Sequence, residues 1–313
     1  MFSLVIPIYR NQETLGDLLD VLKRLQARLP EPLQVVFVVD GSPDESDVFL
    51  AQALPQCPFP SLLISHSRNF GSFNAIRTGL AAATGPLFAT LSADLQEPPE
   101  LVEAMCHSLL RGDDVVVAVR KSRSDGLLIG LFSALFWWIY RRGVQPEMPP
   151  GGVDMFACSL KVRDALLELK ESQSTLVGLL LWLGFRRSTI PYTRLPRRKG
   201  QSAWSFFRRW KYMMDSLFAF SDVPIKLMIL LGFAGLLIAG ILGVIVLVAK
   251  CEGRIPVPGY AGTVLTLLFF GGLNSLGLGI VGSYVWRVFE NTKGRPSACV
   301  REMRSFSGRP LFP

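Results

Sequence analysis

The chain has 313 residues, of which 50% are hydrophobic and 19% are charged, and its formal net charge is +8. This composition excludes a disordered protein, because it can bury ample apolar surface. Its charged fraction also lies below the roughly 25% of an average soluble protein. The apolar excess is concentrated at residues 227–286, where charged side chains are rare. The composition therefore indicates a soluble unit that carries a membrane anchor.

The cysteines and the positive charge narrow the class further. The five cysteines are far apart and form no CxxC pair, which argues against a disulfide framework or a zinc site. A basic chain can bind nucleic acid, anionic lipid or phosphorylated substrates. The basic aromatic stretches adjoin the apolar segments instead of forming a separate module. We therefore favour lipid and phosphorylated substrates, and we expect no nucleic-acid partner.

Strands and helices alternate through the first 120 residues. Short apolar runs predict the strands, and apolar residues at helical spacing predict the helices. The predicted elements are strands over 2–9, 33–39, 61–65, 86–92 and 115–120, and helices over 14–29 and 72–83. This alternation predicts an α/β fold with parallel strands, whose ligands lie beyond the carboxyl ends of the strands. Tyr9, Asp40 and Asp94 fall at such ends.

Four apolar stretches in the second half predict contacts with a membrane. Residues 126–142 and 204–220 combine aromatic and basic side chains, which is typical of interfacial helices, although a core helix is the alternative for the first. Residues 227–249 and 260–286 are uncharged and long enough to span a bilayer core of about 30 Å. Basic residues are more numerous in the tail than between the two spans, so we expect both termini in the cytoplasm.

These stretches divide the chain into four parts. We predict a cytoplasmic domain over residues 1–203, a juxtamembrane amphipathic helix over 204–224, a transmembrane hairpin over 225–288 and a cytoplasmic tail over 289–313. The tail after Gly294 is rich in Pro, Ser and Arg. We therefore expect it to lack regular structure.

The segment from Ser92 to Pro99 offers oxygen ligands at the end of a strand. Asp94 and Gln96 place a carboxylate and an amide oxygen on one turn. Hard cations such as Mg²⁺ or Mn²⁺ take oxygen ligands and bridge to substrate diphosphates. The alternative is that Asp94 only caps the following helix. Asp40 is equally open to a structural role, because Asp-Gly and Ser-Pro pairs are common in turns.

Five short motifs follow one another along the chain: Val5-Ile-Pro-Ile-Tyr9, Val39-Asp-Gly-Ser-Pro43, Ser67-Arg-Asn-Phe-Gly71, Ala93-Asp-Leu-Gln-Glu-Pro-Pro99 and Leu183-Gly-Phe-Arg186. In this order they resemble family 2 glycosyltransferases with the GT-A fold. Within that family the chain is similar to the polyprenyl-phosphate branch, whose bacterial members carry a C-terminal transmembrane hairpin. The resemblance covers essentially the whole chain. It implies a GT-A-like nucleotide-sugar-binding domain, a divalent cation and a polyprenyl-phosphate acceptor.

The resemblance also implies roles for individual residues by their positions in the motifs. Asp94 and Gln96 match the pair that binds Mg²⁺ or Mn²⁺, and Asp154 falls where such enzymes carry the presumed base. The nucleotide-sugar-binding residues would be Pro7, Tyr9, Asp40 and Asp94. The phosphate-binding residues would be Arg120, Arg123, Arg194, Arg197 and Ser202. A solvated basic loop near anionic lipid is the alternative interpretation of the arginines.

The chain departs from the pattern of the family at several positions. Ser92 stands where an acid is usual, so one carboxylate near the ribose or the metal is missing. The other departures are Ser72 in place of Lys, Ala203 and Trp204 in place of Lys-Tyr, and Val153 and Met155 on either side of Asp154. They bear on the cation affinity, on the charge of the phosphate loop and on the assignment of Asp154.

The phosphate of a polyprenyl phosphate is already anionic near neutral pH, so positioning and charge neutralisation should matter more than base catalysis. The leading hypothesis is inverting transfer of a sugar from a nucleotide-sugar donor, which we expect to be UDP-linked, to undecaprenyl phosphate. The reaction would occur at the cytoplasmic face of the inner membrane and serve cell-envelope glycan synthesis. The alternatives are another acceptor, such as a glycan or a diacylglycerol, and a non-catalytic nucleotide-sugar binder. The resemblance further implies a homo-oligomer, often a tetramer in such enzymes.

Overall fold

The computed structural model describes residues 1–121, 142, 147–149, 152–171, 174–195, 214, 218, 221, 223–252 and 259–308. Arg123, Arg197 and Ser202 lie outside these residues, as do most of the predicted interfacial helices at 126–142 and 204–220. The α/β fold predicted for the first part of the chain is confirmed. Its sheet is mixed, whereas the sequence predicted parallel strands.

The sheet contains eight strands of the described chain. They are β1 (Phe2–Ile8), β2 (Leu33–Val39), β3 (Ser61–His66), β4 (Leu87–Thr90), β5 (Val115–Arg120), β6 (Met155–Ser159), β7 (Arg187–Tyr192) and β8 (Val300–Phe306). Their order across the sheet is β7-β5-β6-β4-β1-β2-β3-β8. β6 runs antiparallel to both its neighbours, and β8 runs antiparallel to β3. The other strands share one direction, so their carboxyl ends share one edge of the sheet.

Helices cover both faces of this sheet. They are α1 (Gln12–Arg28), α2 (Ser46–Ala53), α3 (Ser72–Ala82), α4 (Pro99–Leu110), α5 (Leu160–Glu168) and α6 (Leu176–Trp182). α1, α2 and α4 bury apolar side chains against one face, and α3, α5 and α6 against the other. α3 approaches the strands closely at Gly79, where a Cβ would lie 2.3 Å from a methyl carbon of Val5. Described helices therefore cover both faces of the sheet, and the loops at its edges are left to hold a ligand.

The prediction that the tail lacks regular structure was wrong for Val300–Phe306. This segment forms β8, which pairs with β3 from Ser61 opposite Phe306 to His66 opposite Val300. An edge strand presents a row of unpaired backbone groups, and an extended segment can satisfy them whatever its side chains are. The side chains of β8 are exposed apart from Phe306, which packs against the core. Backbone pairing therefore orders a tail that its polar composition did not mark as a strand.

Two long apolar helices, α7 (Val223–Cys251) and α8 (Tyr260–Thr292), follow the sheet domain. They pack together where Gly235 of α7 faces Phe270 and Gly277 of α8 faces Met228. Val223–Leu242 is the one segment of the described chain that is long and apolar enough to cross a membrane, and nearly all of it is exposed. The two predicted spans thus correspond to two helices, while the membrane hairpin itself stays a prediction.

Replacing Phe306 by Ala should destabilise the sheet domain, because Phe306 is the residue of β8 that contacts the core. Loss of part of a buried phenyl group should cost about 1–2 kcal/mol, which corresponds to a decrease of roughly 3–6 °C in the melting temperature. The matched control is Met303→Ala, since the Met303 side chain on the same strand is 52% exposed. Thermal unfolding of the detergent-solubilised chain measures both. Equal melting temperatures for the two variants would contradict a packed β8.

Candidate active site

The predicted site residues that the structure describes meet at one edge of the sheet. Tyr9 and Asp40 directly follow β1 and β2, Asp94 lies four residues beyond the end of β4, and Arg120 ends β5. Asp154 precedes β6, and because β6 runs antiparallel to its neighbours, its start lies at this same edge. The strand directions therefore bring together residues that are more than 100 positions apart in the sequence.

The carboxylate of Asp40 binds the protein itself. Its Oδ1 accepts hydrogen bonds from the backbone N–H of Phe70 (2.8 Å) and contacts Nδ1 of His66 (2.8 Å). Its Oδ2 accepts from the backbone N–H of Gly71 at 2.7 Å. Asp40 is only 2% exposed. In this structure Asp40 thus holds the loop between β3 and α3, and its predicted contact with a nucleotide would be made through that loop.

His66 completes this anchor, and the sequence analysis did not single it out. The ring lies between Asp40 and Thr78, with Nε2 3.0 Å from the Thr78 hydroxyl. It is 1% exposed, and its edge packs against the ring of Phe70. The available signal was a lone histidine one residue beyond the predicted strand. Such a residue is more often a satisfied core histidine than a ligand, and its hydrogen bonds here agree with that role.

The same loop is held tightly from two other sides. Gly41 has a φ of +56°, and a Cβ at this position would lie 2.2 Å from the backbone of Arg68. The Ser67 N–H donates to the backbone oxygen of Cys299 at 2.9 Å, just before β8. The guanidinium of Arg68 lies over the ring of Phe70 at 4.4 Å. The motif Ser67–Gly71 is therefore fixed by the Asp40 turn and by the C-terminal strand together.

Pro7 and Tyr9 lie at the carboxyl end of β1. Pro7 pairs in register with Val38 of β2, and it is partly exposed. The Tyr9 N–H donates to Oδ1 of Asn11 at 3.0 Å, and Arg10 stacks its guanidinium over the Tyr9 ring at 5.5 Å. Pro7 and Tyr9, two of the four predicted nucleotide-binding residues, are thus both partly exposed at the site edge.

Asp94 and Gln96 form the short turn beyond β4 that the sequence predicts. The Gln96 N–H donates to Oδ1 of Asp94 at 3.3 Å. The amide oxygen of Gln96 accepts a hydrogen bond from Nη2 of Arg194 at 2.5 Å, and the Gln96 amide nitrogen donates to the backbone oxygen of Leu195. The predicted cation-binding turn and the predicted phosphate-binding arginine are therefore in direct contact.

Arg120, Asp154 and Tyr192 form a second polar group at this edge. The guanidinium of Arg120 binds both oxygens of Asp154, through Nε to Oδ2 and through Nη2 to Oδ1 at 2.6 Å. The Tyr192 hydroxyl donates to Oδ2 at 2.7 Å. Burial and the neighbouring Asp154 carboxylate both raise the pKa of Tyr192, so its hydroxyl stays protonated. Tyr192 was missed because its position beside Arg120 depends on the pairing of β5 with β7.

Glu97 is a further acid of the site. It belongs to the motif Ala93–Pro99, but no role was predicted for it from the sequence. It is 2% exposed. Burial, followed by the charge of Asp94, raises the pKa of Glu97 from 4.5 to about 7, and hydrogen bonding by Ser92 acts in the opposite direction. Among the described residues, no group of three His, Cys, Asp or Glu side chains has the arrangement of a metal site. A cation here would therefore need amide or substrate oxygens as well as carboxylates.

Comparison with known sequences decides the family. Residues 3–167, more than half of the chain, match glycosyl transferase family 2. The chain belongs to this family. It is therefore a glycosyltransferase, and the resemblance predicted from the five motifs is confirmed.

Relatives of this family 2 glycosyltransferase match over nearly the full chain. An uncharacterized glycosyltransferase of Synechocystis is 31% identical over 310 residues, which cover 99% of this chain and 97% of the relative. The SfII prophage-derived bactoprenol glucosyl transferase of Shigella flexneri is 26% identical over 309 residues, covering 98% and 99%. Among solved structures, glucosyl-3-phosphoglycerate synthase from Mycobacterium tuberculosis shares 20% identity, covers 64% of this chain and 73% of that chain, and gives a TM-score of 0.45.

Replacing Asp40 by Asn should loosen the β3–α3 loop, because an amide nitrogen would then face backbone N–H donors. Leaving buried donors unsatisfied should cost about 1–3 kcal/mol. We expect a lower melting temperature and faster hydrogen exchange at Phe70 and Gly71, measured by mass spectrometry. The control is Asp20→Asn, whose side chain is 68% exposed and pairs with Lys23. Unchanged exchange in this loop after Asp40→Asn would contradict the anchoring role.

Proposed function

We propose that this family 2 glycosyltransferase transfers a sugar from a nucleotide-sugar donor to a polyprenyl phosphate at the membrane surface. In this reaction a phosphate oxygen of the acceptor attacks the anomeric carbon, a new carbon–oxygen bond forms, and the bond to the donor diphosphate breaks. The nucleoside diphosphate leaves. A single displacement of this kind inverts the anomeric configuration. The near full-length similarity to a bactoprenol glucosyl transferase supports a polyprenol-linked acceptor.

The path of the chain after α8 is the observation that best supports an acceptor located in a membrane. Seven residues join the end of α8 at Thr292 to the start of β8 at Val300. An extended chain of this length reaches roughly 25–30 Å. β8 begins opposite His66, at the carboxyl end of β3, which is the edge that carries the site. The end of the apolar helix pair is therefore tethered close to the catalytic edge.

The same pairing supports a hairpin. Because β8 belongs to the sheet that also contains β1 to β7, the strands before α7 and the strand after α8 would lie on one side of any membrane. The helices between them must then cross it twice or not at all. α7 and α8 expose large apolar side chains, among them Phe233 at 68% and Leu278 at 73%. Apolar surface of this extent requires a partner or lipid, and we propose a bilayer with both termini in the cytoplasm.

The described side chains fit the charges of this reaction. Arg120 and Arg194 lie at the edge where the phosphates of the donor and the acceptor would meet, and arginine binds phosphate oxygens in a fork. We propose that Arg123, Arg197 and Ser202, outside the described residues, extend this phosphate site. Asp94 and Gln96 would hold Mg²⁺ or Mn²⁺, which would neutralise the donor diphosphate.

The remaining assignments complete the proposal. Pro7 and Tyr9 would contact the nucleotide, which we propose to be UDP, while Asp40 would position the loop beside it. The role of Asp154 as a base stays a prediction, and a proton on its Oδ2 would compete with the hydrogen bonds from Arg120 and Tyr192. The inner-membrane location, the role in cell-envelope glycan synthesis and a homo-oligomer such as a tetramer belong to the same proposal.

The test is the formation of a lipid-linked sugar. Membranes that contain the full chain, incubated with undecaprenyl phosphate, Mg²⁺ or Mn²⁺ and radiolabelled UDP-sugars, should yield label that extracts into organic solvent. Asp94→Asn should lower kcat by about 100-fold or more, because a donor of charge stabilisation is lost. The matched control is Asp164→Asn, an aspartate whose side chain is 55% exposed. It lies on α5, which follows the end of β6 at the opposite edge of the sheet.

Two results would contradict the proposal. One is the absence of a lipid-linked product with every UDP-sugar tried, under conditions in which a bactoprenol glucosyl transferase is active. The other is full activity of Asp94→Asn, which would remove the proposed cation ligand from the mechanism.

A further inference from the structure

Glu97 is a buried acid whose hydrogen bonding is incomplete. It lies directly before Pro98 and α4, and it is 2% exposed. Among the residues that the structure describes, its Oε2 atom is buried and has no hydrogen-bond partner. A buried carboxylate without partners opposes folding. A partner that is not a protein side chain would remove this cost.

The neighbours of Glu97 indicate the charge of that partner. The described groups that act on its carboxyl are Asp94, Ser92, Arg194 and Asp154. Asp154 is already paired with Arg120. Arg194 is therefore the cation that remains near the two carboxyl groups of Asp94 and Glu97. Its guanidinium also donates a hydrogen bond to Gln96. The local excess is negative, so a divalent cation fits this position and an anion does not.

The hydroxyl of Ser92 contacts the acid at position 97. The family usually carries an acid at position 92, and in this chain that position carries the hydroxyl that hydrogen-bonds to Glu97. A carboxylate at position 92 would place two like charges in contact, and like charges at such a distance disfavour each other's ionised forms. The carboxylate that the family usually carries at position 92 is thus absent here, and the carboxylate that lies at this point is that of Glu97.

We propose that Glu97 is the second carboxylate ligand of the divalent cation and that it replaces the acid missing at position 92. Together with Asp94 and the amide oxygen of Gln96, it gives three protein oxygens within four consecutive residues. Mg²⁺ and Mn²⁺ accept such oxygens and leave further positions for water and substrate phosphates. The inference rests on the proposed function in one respect, that the donor diphosphate binds through a cation at Asp94.

The test measures Mn²⁺ binding itself, without donor, acceptor or turnover. The dissociation constant of Mn²⁺ for the full chain in detergent is obtained from the electron paramagnetic resonance signal of free Mn²⁺. Glu97→Gln keeps the shape of the side chain and should weaken binding by about 10-fold or more. The matched control is Glu100→Gln, the same substitution at an acid on α4 that is 61% exposed and pairs with Arg28. It should leave the dissociation constant unchanged.

A double variant tests the exchange of positions. S92D combined with E97Q returns the carboxylate to position 92 and should regain most of the Mn²⁺ affinity that Glu97→Gln loses. If Glu97→Gln fails to fold, a folded double variant decides: Mn²⁺ binding supports the proposal, and its absence overturns it. If Glu97→Gln folds and the double variant binds Mn²⁺ as weakly as Glu97→Gln does, the proposal that Glu97 replaces an acid at position 92 is overturned.

Three further results overturn the proposal. They are wild-type affinity in a folded Glu97→Gln, an equal loss in Glu100→Gln, and no Mn²⁺ binding by the wild-type chain. None of them depends on the acceptor. A chain that forms lipid-linked sugar in excess chelator would retain the proposed function and lose this inference, so the two failures are distinguishable.

Discussion

The common direction of six strands is the constraint on which the site depends. Because β1, β2, β4 and β5 end at one edge, the loops that follow them meet there without long connections. The reversal of β6 matters equally, since it brings the start of a strand, and with it Asp154, to an edge otherwise made of strand ends. β7 then places Tyr192 beside Arg120. Arg120, Asp154 and Tyr192, which come from three different strand ends, thus form one hydrogen-bonded group, and Arg194 binds Gln96 beside it.

The antiparallel β8 adds a second consequence of the same geometry. If β8 were parallel to β3, it would begin at the opposite edge of the sheet, and the linker from α8 would lead to that edge and away from the site. As an antiparallel strand, β8 begins beside the loop that Asp40 holds, and the Ser67–Cys299 hydrogen bond joins the two. The chain that leaves α8 therefore contacts the β3–α3 loop. The pairing of β8 with β3 and the Ser67–Cys299 hydrogen bond thus connect the chain that follows the apolar helices to the loop that we propose to lie beside the nucleotide.

The sequence predicts which polar residues lie at the ends of strands. It predicts less well which groups their side chains contact. Tyr9, Asp40 and Asp94 could be placed at strand ends because that signal is local. The partners of Asp40 lie 26 to 31 residues away, in a loop whose position depends on the packing of α3. β8 could not be predicted, because Val300–Phe306 has mostly polar side chains and the reason for its pairing is the open edge of β3. The burial of Glu97 was hidden for a similar reason, since glutamate is usually exposed and the sequence does not show what packs around it.

The contacts of Asp154 bear on how the proposed transfer would proceed. Asp154 already accepts hydrogen bonds from Arg120 on both oxygens and from Tyr192 on Oδ2, so a proton on Oδ2 would displace one of these donors. The acceptor phosphate is already ionised near neutral pH and needs no base to attack. What opposes the reaction is the approach of two negatively charged phosphates. Asp154 orients Arg120, and Gln96 holds Arg194, so both guanidinium groups are in place before the phosphates bind. Charge that is fixed in advance does not have to reorganise during the reaction, and the barrier is lower for that reason.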